Sequence, residues 1–435
     1  MVAGRAAESW PFTASIIRHK INSGNSRGLH AVARGTANRR NDGLLTKLIV
    51  KIGRRLLPKD TKGSLTLTLP SGEHFVLGNR GEEISADLTL NNFKVIWASV
   101  RRAQLGFFES YLAGDVESSD PTKLFKFYLN NRAALDGAST GIFFTSWFDK
   151  LWHKKRDNNL EGSKENISTH YDLGNDFYKL WLDETMTYSS AVFDKAGNSL
   201  ESAQQQKYAR VMDALELKPN DSILEIGSGW GGFAEEAGKR RARVRGITLS
   251  KEQLAYAEKR IAKAGLNKKC SFHLEDYRDT QGLYDRIASI EMIEAVGEAH
   301  WPTYFRTLYD RLKPGGIAAI QGITIAEANF DAYRSGVDFI QRYVFPGGML
   351  LTKTIMKEQA SRAGLILERV ETFGQSYATT LRMWHERFEV VWPEVAELGF
   401  DEKFKRVWKL YLAYCEAGFA ESVVDVGIYK LRKPA

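Results

Sequence analysis

Residues 225–232 read Glu225-Ile226-Gly227-Ser228-Gly229-Trp230-Gly231-Gly232. The apolar run Ser222-Ile223-Leu224 precedes them, and Phe233-Ala234-Glu235-Glu236-Ala237 follows. Four glycines in six positions do not suit the interior of a strand or a helix. The pattern is strand, glycine turn, helix, which lets backbone approach a ligand at the carboxyl end of a strand. Gly227, Gly229 and Gly232 satisfy G-x-G-x-x-G, a weak signal when it stands alone. A dinucleotide site wants an acid about 20 residues on, at the end of the next strand. That strand ends Gly246-Ile247-Thr248-Leu249-Ser250, without one. No Lys-Ser or Lys-Thr follows the glycines, which excludes a P-loop. Glu225, two residues before the first glycine, would repel a pyrophosphate and attract a cation.

Outward from this turn the chain alternates. Strands are expected at 222–227, 242–249, 270–276, 285–292, 315–325, 364–373 and 423–432, with helices between them, beginning with 201–216 and 232–241. Repeated β-α units imply a parallel sheet covered on both faces. S-adenosylmethionine (SAM), with its sulfonium and amino group, suits an acid at the mouth of the turn better than NAD does. Upstream, 63–100 reads as short strands around a Pro70-Ser71-Gly72 turn, and 104–130 as helix. These give a small α+β domain at 44–140, before a larger domain at 141–435.

The charge is uneven. Residues 1–62 carry a net +10 and the whole chain +8, so the body is slightly acidic. Residues 1–43 read as a disordered basic tail, with an organellar transit peptide or an overlong gene start as alternatives. Residues 44–57 form a basic amphipathic pattern that suits either a membrane surface or a packed helix. Residues 147–166 are basic and Trp-containing. The two cysteines, Cys270 and Cys415, exclude a disulfide framework. The histidines show no metal-ligand spacing, so no metal is expected. No apolar stretch approaches the ~20 residues of a membrane-spanning helix. A nucleic-acid partner is disfavoured, because the body lacks a basic surface.

The motifs also resemble those of the cyclopropane-fatty-acyl-phospholipid synthase family, which includes the mycolic acid cyclopropane synthases. They are His170 to Tyr178 (HYDLGNDFY), Thr187 to Ser190 (TYSS), Leu224 to Gly232, Gly246 to Gln253 (GITLSKEQ), Asp276 to Asp279 (DYRD), Ser289 to Gly297 (SIEMIEAVG) and Phe373 to Tyr377 (FGQSY). The likeness covers roughly 165–432 and implies a class I methyltransferase fold, Rossmann-like, with a seven-stranded mostly parallel sheet. It implies SAM held by Tyr188, Ser189, Glu225, Gly227, Gly229, Gly231, Thr248, Leu249, Gln253, Asp276, Tyr277 and Ile290. Ser250 and Gln253 also read as a capping box. His170 and Tyr171 would belong to a lid helix.

The implied catalytic set is Glu294, Tyr377, Ser190, Gln321 and Ile323, around a bicarbonate that serves as base in the family. Ser190 and Gln321 stand where the family usually has Cys and His. Both can donate to an anion, but Gln cannot become cationic. The implied activity is C-methylation of the cis double bond in unsaturated phospholipid acyl chains. It would give a cyclopropane or, with these two departures, a methyl-branched or methylene chain. Tyr188, Phe193, Trp301, Tyr377 and Trp384 are candidates to stabilise the intermediate cation. The expected setting is the cytoplasmic face of the inner membrane, with a phospholipid bilayer as partner. A homodimer and a partner reductase or oxidase stay open. The alternatives are a small-molecule amine N-methyltransferase and a non-catalytic SAM- or lipid-binding protein.

Overall fold

The computed structural model describes residues 57, 60–79, 81, 84–133, 135, 173–195, 197–336 and 338–435. The expected tail at 1–43, the basic helix at 44–57 apart from Leu57, the linker around 136–141, the stretch 147–166, and His170 and Tyr171 lie outside the described residues.

The first sheet contains β1 (Ser64–Thr68), β2 (His74–Gly78), β3 (Ser85–Leu90) and β4 (Val116–Glu117), in the order β2-β1-β3-β4. The helix expected over 104–130 is two helices, α1 (Lys94–Leu112) and α2 (Pro121–Asn130). Gly114 takes a φ of 76°, the left-handed conformation that ends α1. Val116 and Glu117 then pair with Leu90 and Thr89. Asp120 caps α2 through Lys123 N, and Pro121 opens it. Apolar periodicity runs across this break, so periodicity alone did not reveal it.

The larger sheet forms from the seven expected strands, with ends shifted by a few residues at most. They are β5 (Ser222–Ile226), β6 (Arg243–Thr248), β7 (Cys270–Leu274), β8 (Tyr284–Ile290), β9 (Leu312–Ile325), β10 (Ile366–Thr372) and β11 (Val424–Arg432). Their order is β10-β11-β9-β8-β5-β6-β7. The β6, β7, β8 and β9 pairings around β5 are parallel, while β11 runs antiparallel to both neighbours. This is the expected seven-stranded, mostly parallel α/β sheet. Strand order reverses between β5 and β8, and ligands of open α/β sheets bind at such a switch point.

Side-chain alternation divides the core. Ile223 and Ala288 face one layer, with α4 (Leu200–Ala214), α5 (Gly232–Lys239) and α6 (Lys251–Lys263). Leu224 and Ile287 face the other, with α7 (Trp301–Arg311) and α10 (Lys353–Arg362). Above the carboxyl ends lies a third cluster. It joins α1 and α2 to α3 (Asn175–Trp181), α11 (Gly374–Val390), α12 (Trp392–Glu397) and α13 (Glu402–Ala420). Two further helices, α8 (Glu327–Ser335) and α9 (Phe339–Tyr343), follow β9. Between the two sheet units, Thr122 of α2 donates to Glu416 of α13 at 3.2 Å, and Asn130 donates to Glu421 at 2.7 Å.

Candidate active site

The glycine turn is pinned to the neighbouring strand: the N–H groups of Gly227 and Ser228 both donate to Ile247 O, at 3.0 and 2.9 Å. Gly227 has a φ of 80°, and a Cβ there would meet Met292 at 3.1 Å. The backbone thus bends where a side chain would be strained and would crowd the cavity below it. That cavity, about 150 Å³, is lined by Tyr188, Ser189, Glu225, Gly227, Gly229, Thr248, Leu249, Gln253, Tyr277 and Ile290 among others. Ten of the twelve residues expected to hold SAM therefore converge. Gly231 instead takes the left-handed conformation at the start of α5, packed against Ala257 and Phe272. Asp276 does not line this cavity, and both its oxygens accept from Arg278, at 2.7–2.9 Å.

Only half of the expected capping box forms. Ser250 Oγ accepts from Gln253 N at 3.2 Å, while the Gln253 side chain accepts from Thr248 Oγ1 at 2.9 Å. Cavity chemistry takes this glutamine away from the helix end. Glu225 is buried, with Oε2 unpartnered among the described residues. Burial pushes its carboxyl well above the usual range, opposed by Lys207. A cationic ligand would supply the missing partner, so these residues fit SAM.

A second, larger cavity of about 250 Å³ lies beyond the first. Apolar side chains from α9, α11, α13 and the end of β9 dominate its wall, and Leu129 of α2 adds to it. The two cavities share Tyr188, Glu291 and Ala295. Of the five aromatic candidates, Tyr188 and Tyr377 line the apolar cavity. Trp384 packs behind Tyr188, with ring centroids 5.3 Å apart. Trp301 belongs to the core under the sheet, and Phe193 lines neither cavity.

The implied anion cage assembles, but around a residue of the chain itself. Glu291 Oε1 accepts from Ser190 N and from Gln321 Nε2, each at 2.8 Å, and Oε2 accepts from Tyr377 OH at 2.7 Å. Its backbone φ is 49°, left-handed for a non-glycine residue. Such strain costs on the order of 1–3 kcal/mol. Hydrogen bonds to a charged group are worth about 1.5–3 kcal/mol each, so three of them offset it. These donors do not fit bicarbonate as well: a second anion would find them taken and meet the Glu291 charge. Ser190 serves through its backbone, since its hydroxyl donates to Ala191 O at 2.9 Å.

Glu294 and Ile323 pair separately. Glu294 Oε1 accepts from Ile323 N at 2.6 Å, and Oε2 is buried without a partner among the described residues. Both acids line cavities, yet lie deep in the protein. Burial, helped by the Glu291 charge, pushes Glu294 up to about 8. Burial also raises Glu291, against the hydrogen bonds from Tyr377 and Ser190 and the charge of Lys207. One site thus holds a carboxyl group with three hydrogen-bond donors beside one with a single donor, and burial raises both. Glu291 escaped the sequence reading, although Glu291 and Glu294 stand three apart just past β8, a visible signal of paired acids.

The family model described as mycolic acid cyclopropane synthetase matches residues 158–428. The chain is 40% identical to tuberculostearic acid methyltransferase of Mycobacterium tuberculosis, over 75% of this chain and 78% of that one. It is 35% identical to cyclopropane-fatty-acyl-phospholipid synthase of Escherichia coli, over 77% and 84%. Among solved structures, the cyclopropane synthase MmaA2 from Mycobacterium tuberculosis superposes with a TM-score of 0.59 at 30% identity, covering 62% of this chain and 98% of that one. Mycolic acid cyclopropane synthase CmaA1, complexed with SAH and CTAB, matches with the same TM-score at 28% identity and the same coverage.

Proposed function

The chain belongs to the mycolic acid cyclopropane synthetase family of SAM-dependent, lipid-modifying methyltransferases, and from that premise we propose that it methylates the cis double bond of unsaturated phospholipid acyl chains and leaves a methylene branch. The observation that carries this reading is Glu291, whose carboxylate fills the anion cage at the junction of the two cavities. The apolar cavity suits an acyl chain and excludes water, which a weak alkene nucleophile needs. SAM, when bound in the smaller cavity, supplies an electrophilic methyl group. A methylated alkene carries a positive charge on the adjacent carbon, and the faces of Tyr188 and Tyr377 are available to it. Glu291 takes a proton from the new methyl group. If the proton leaves at once, a cyclopropane closes. If hydride first shifts from the methylated carbon to its neighbour, the same loss gives a methylene group. Burial raises Glu291 above the usual carboxylate range, which makes it a stronger base.

Two comparisons bear on the product. The relative that is 40% identical is named for tuberculostearic acid methylation, and the one that is 35% identical for cyclopropane synthesis. Glu291 can serve either outcome, and the methylene reading follows the higher identity to the first. A reductase-class partner would be needed to convert a methylene to a methyl branch.

Access from a bilayer is supported by α1. Trp97 is 68% exposed there, near Lys94 and Arg101 in sequence. The other face of α1 packs Phe108 on Phe339, beside the apolar cavity. Among the described residues no helix is long and apolar enough to cross a membrane. This fits peripheral docking on the inner membrane.

The test is mass spectrometry of acyl chains after incubation with SAM and liposomes of a cis-monounsaturated phospholipid, with and without bicarbonate. The expected product gains one CH2 in either condition and takes up hydrogen under conditions that spare cyclopropanes. A product that resists hydrogenation would overturn the methylene reading. Absence of any mass gain, despite SAM binding, would overturn the lipid reading.

A further inference from the structure

Lys207 is fully buried, on the inner face of α4. A lysine without solvent is expensive unless something holds its charge. Its Nζ donates to Ser189 Oγ at 2.7 Å and lies 4.3 Å from the centre of the Tyr208 ring. Its helix neighbours grip the same loop. Gln204 Nε2 donates to Ser189 O at 2.9 Å, and Tyr208 OH pairs with Thr187 Oγ1 at 2.8 Å. Spacings of three and four put all three side chains on one helical face. That face anchors Thr187 to Ser190, the segment that lines both cavities and supplies the Ser190 N–H to Glu291.

Three acids act on Lys207 through space: Glu291 beyond β8, Asp183 after α3, and Glu225 at the end of β5. Burial brings the ammonium down to about 8, against these acids. Glu225 and Glu291 lie on the cofactor side and the proton-removing side of the reaction. Lys207 is a cation whose charge acts on both of them.

We propose that Lys207 is a positioning residue for proton removal: its buried charge holds Glu291 as a carboxylate while its hydrogen bond fixes Ser189 and the donor at Ser190. The inference rests on Glu291 being the base. Lys207 touches no reacting atom, and its effect passes through Glu291.

The test is the pH dependence of kcat/KM for full-length protein with SAM and cis-monounsaturated phosphatidylglycerol liposomes. Glu291→Gln tests the underlying reading first and should abolish product; full activity in that variant would overturn the reading itself. With Glu291→Gln inactive, Lys207→Gln keeps a donor for Ser189 but loses the charge. Removing a cation raises the pKa of a nearby acid, so the acid limb should move to higher pH. A shift of about one unit corresponds to a tenfold loss of rate on that limb. Lys207→Met carries the same expectation should Lys207→Gln fail to fold, and circular dichroism decides which is used. Lys207→Arg keeps the charge and should leave the limb at its wild-type position. A lower plateau with an unmoved limb in the charge-removing variant would overturn the proposal, as would an equal shift in Lys207→Arg.

Discussion

The cofactor cavity and the apolar cavity share a wall, yet they are built differently. The first is made mostly of short contiguous runs: the glycine turn after β5 and the Thr248–Gln253 pair after β6. At the edge of the second, the cage and the neighbouring pair draw their polar atoms from well-separated segments, at 190, 291 and 294, 321 and 323, and 377. In the first, backbone conformation does most of the work. In the second, one carboxylate on a left-handed backbone position takes the donors that the resemblance assigns to a free anion. A turn can be read where it is written, whereas a cage assembled across the fold can keep its donors and change what they hold.

Opening the cage is the strongest way to break this contrast. Glu291→Gly suits the φ of 49° and removes the tethered carboxylate, leaving the Ser190, Gln321 and Tyr377 donors without an acceptor. Activity should fall on the order of a thousandfold, within the range for loss of a general base. Added bicarbonate should restore part of it, because the donors then accept a free anion. The readout is acyl-chain mass spectrometry across a bicarbonate titration. Wild-type activity should be flat over that titration.

The cofactor side should break differently. Gly227→Val combines a φ of 80° with a Cβ 3.1 Å from Met292. Left-handed strain of roughly 1–2 kcal/mol, with crowding added, predicts at least a tenfold weaker SAM affinity. Isothermal titration calorimetry measures it directly. Bicarbonate should have no effect on this variant, which separates the two cavities by experiment.

Tyr377→Phe sits between these cases. It removes one hydrogen bond to Glu291 and keeps the ring that lines the apolar cavity. That bond lowers the Glu291 pKa, so its loss raises it. The acid limb of the rate profile should therefore move to higher pH, with about a tenfold to hundredfold loss of rate near neutrality. A pH profile that only scales down would place Tyr377 in packing alone.

What was legible in the sequence follows the same division. The seven strands alternate with helices and carry period-two faces, as Ile223 and Leu224 show by pointing into opposite layers. That Glu225, Gly227 and Gly229 face one cavity is legible because turn chemistry is local. The break between α1 and α2 was not, since apolar periodicity continues through Gly114 and Val116. Asp276 reads as a cavity acid from its place after a strand, whereas its pairing with Arg278, two residues on, depends on side-chain geometry. Glu291 and Lys207 were missed for one physical reason. Their roles depend on which distant groups share a dry interior, and residue type does not disclose that.

Ser190 provides the finest test of how far the cage differs from the implied one. The resemblance assigns its side chain as a donor to the anion, in place of a cysteine. Here the hydroxyl donates to Ala191 O, and it is the backbone N–H that reaches Glu291. Ser190→Ala should therefore keep kcat within about threefold. It should lose roughly 1 kcal/mol of stability, the worth of an ordinary hydrogen bond. Gln321→Leu is the matched contrast, because its Nε2 bonds Glu291 Oε1 directly at 2.8 Å. Losing a donor to a charged group should cost several times more in rate than Ser190→Ala does. A larger loss from Ser190→Ala than from Gln321→Leu would mean that the serine hydroxyl acts on the reacting groups. It would also restore the side-chain role that the backbone contact now makes unnecessary.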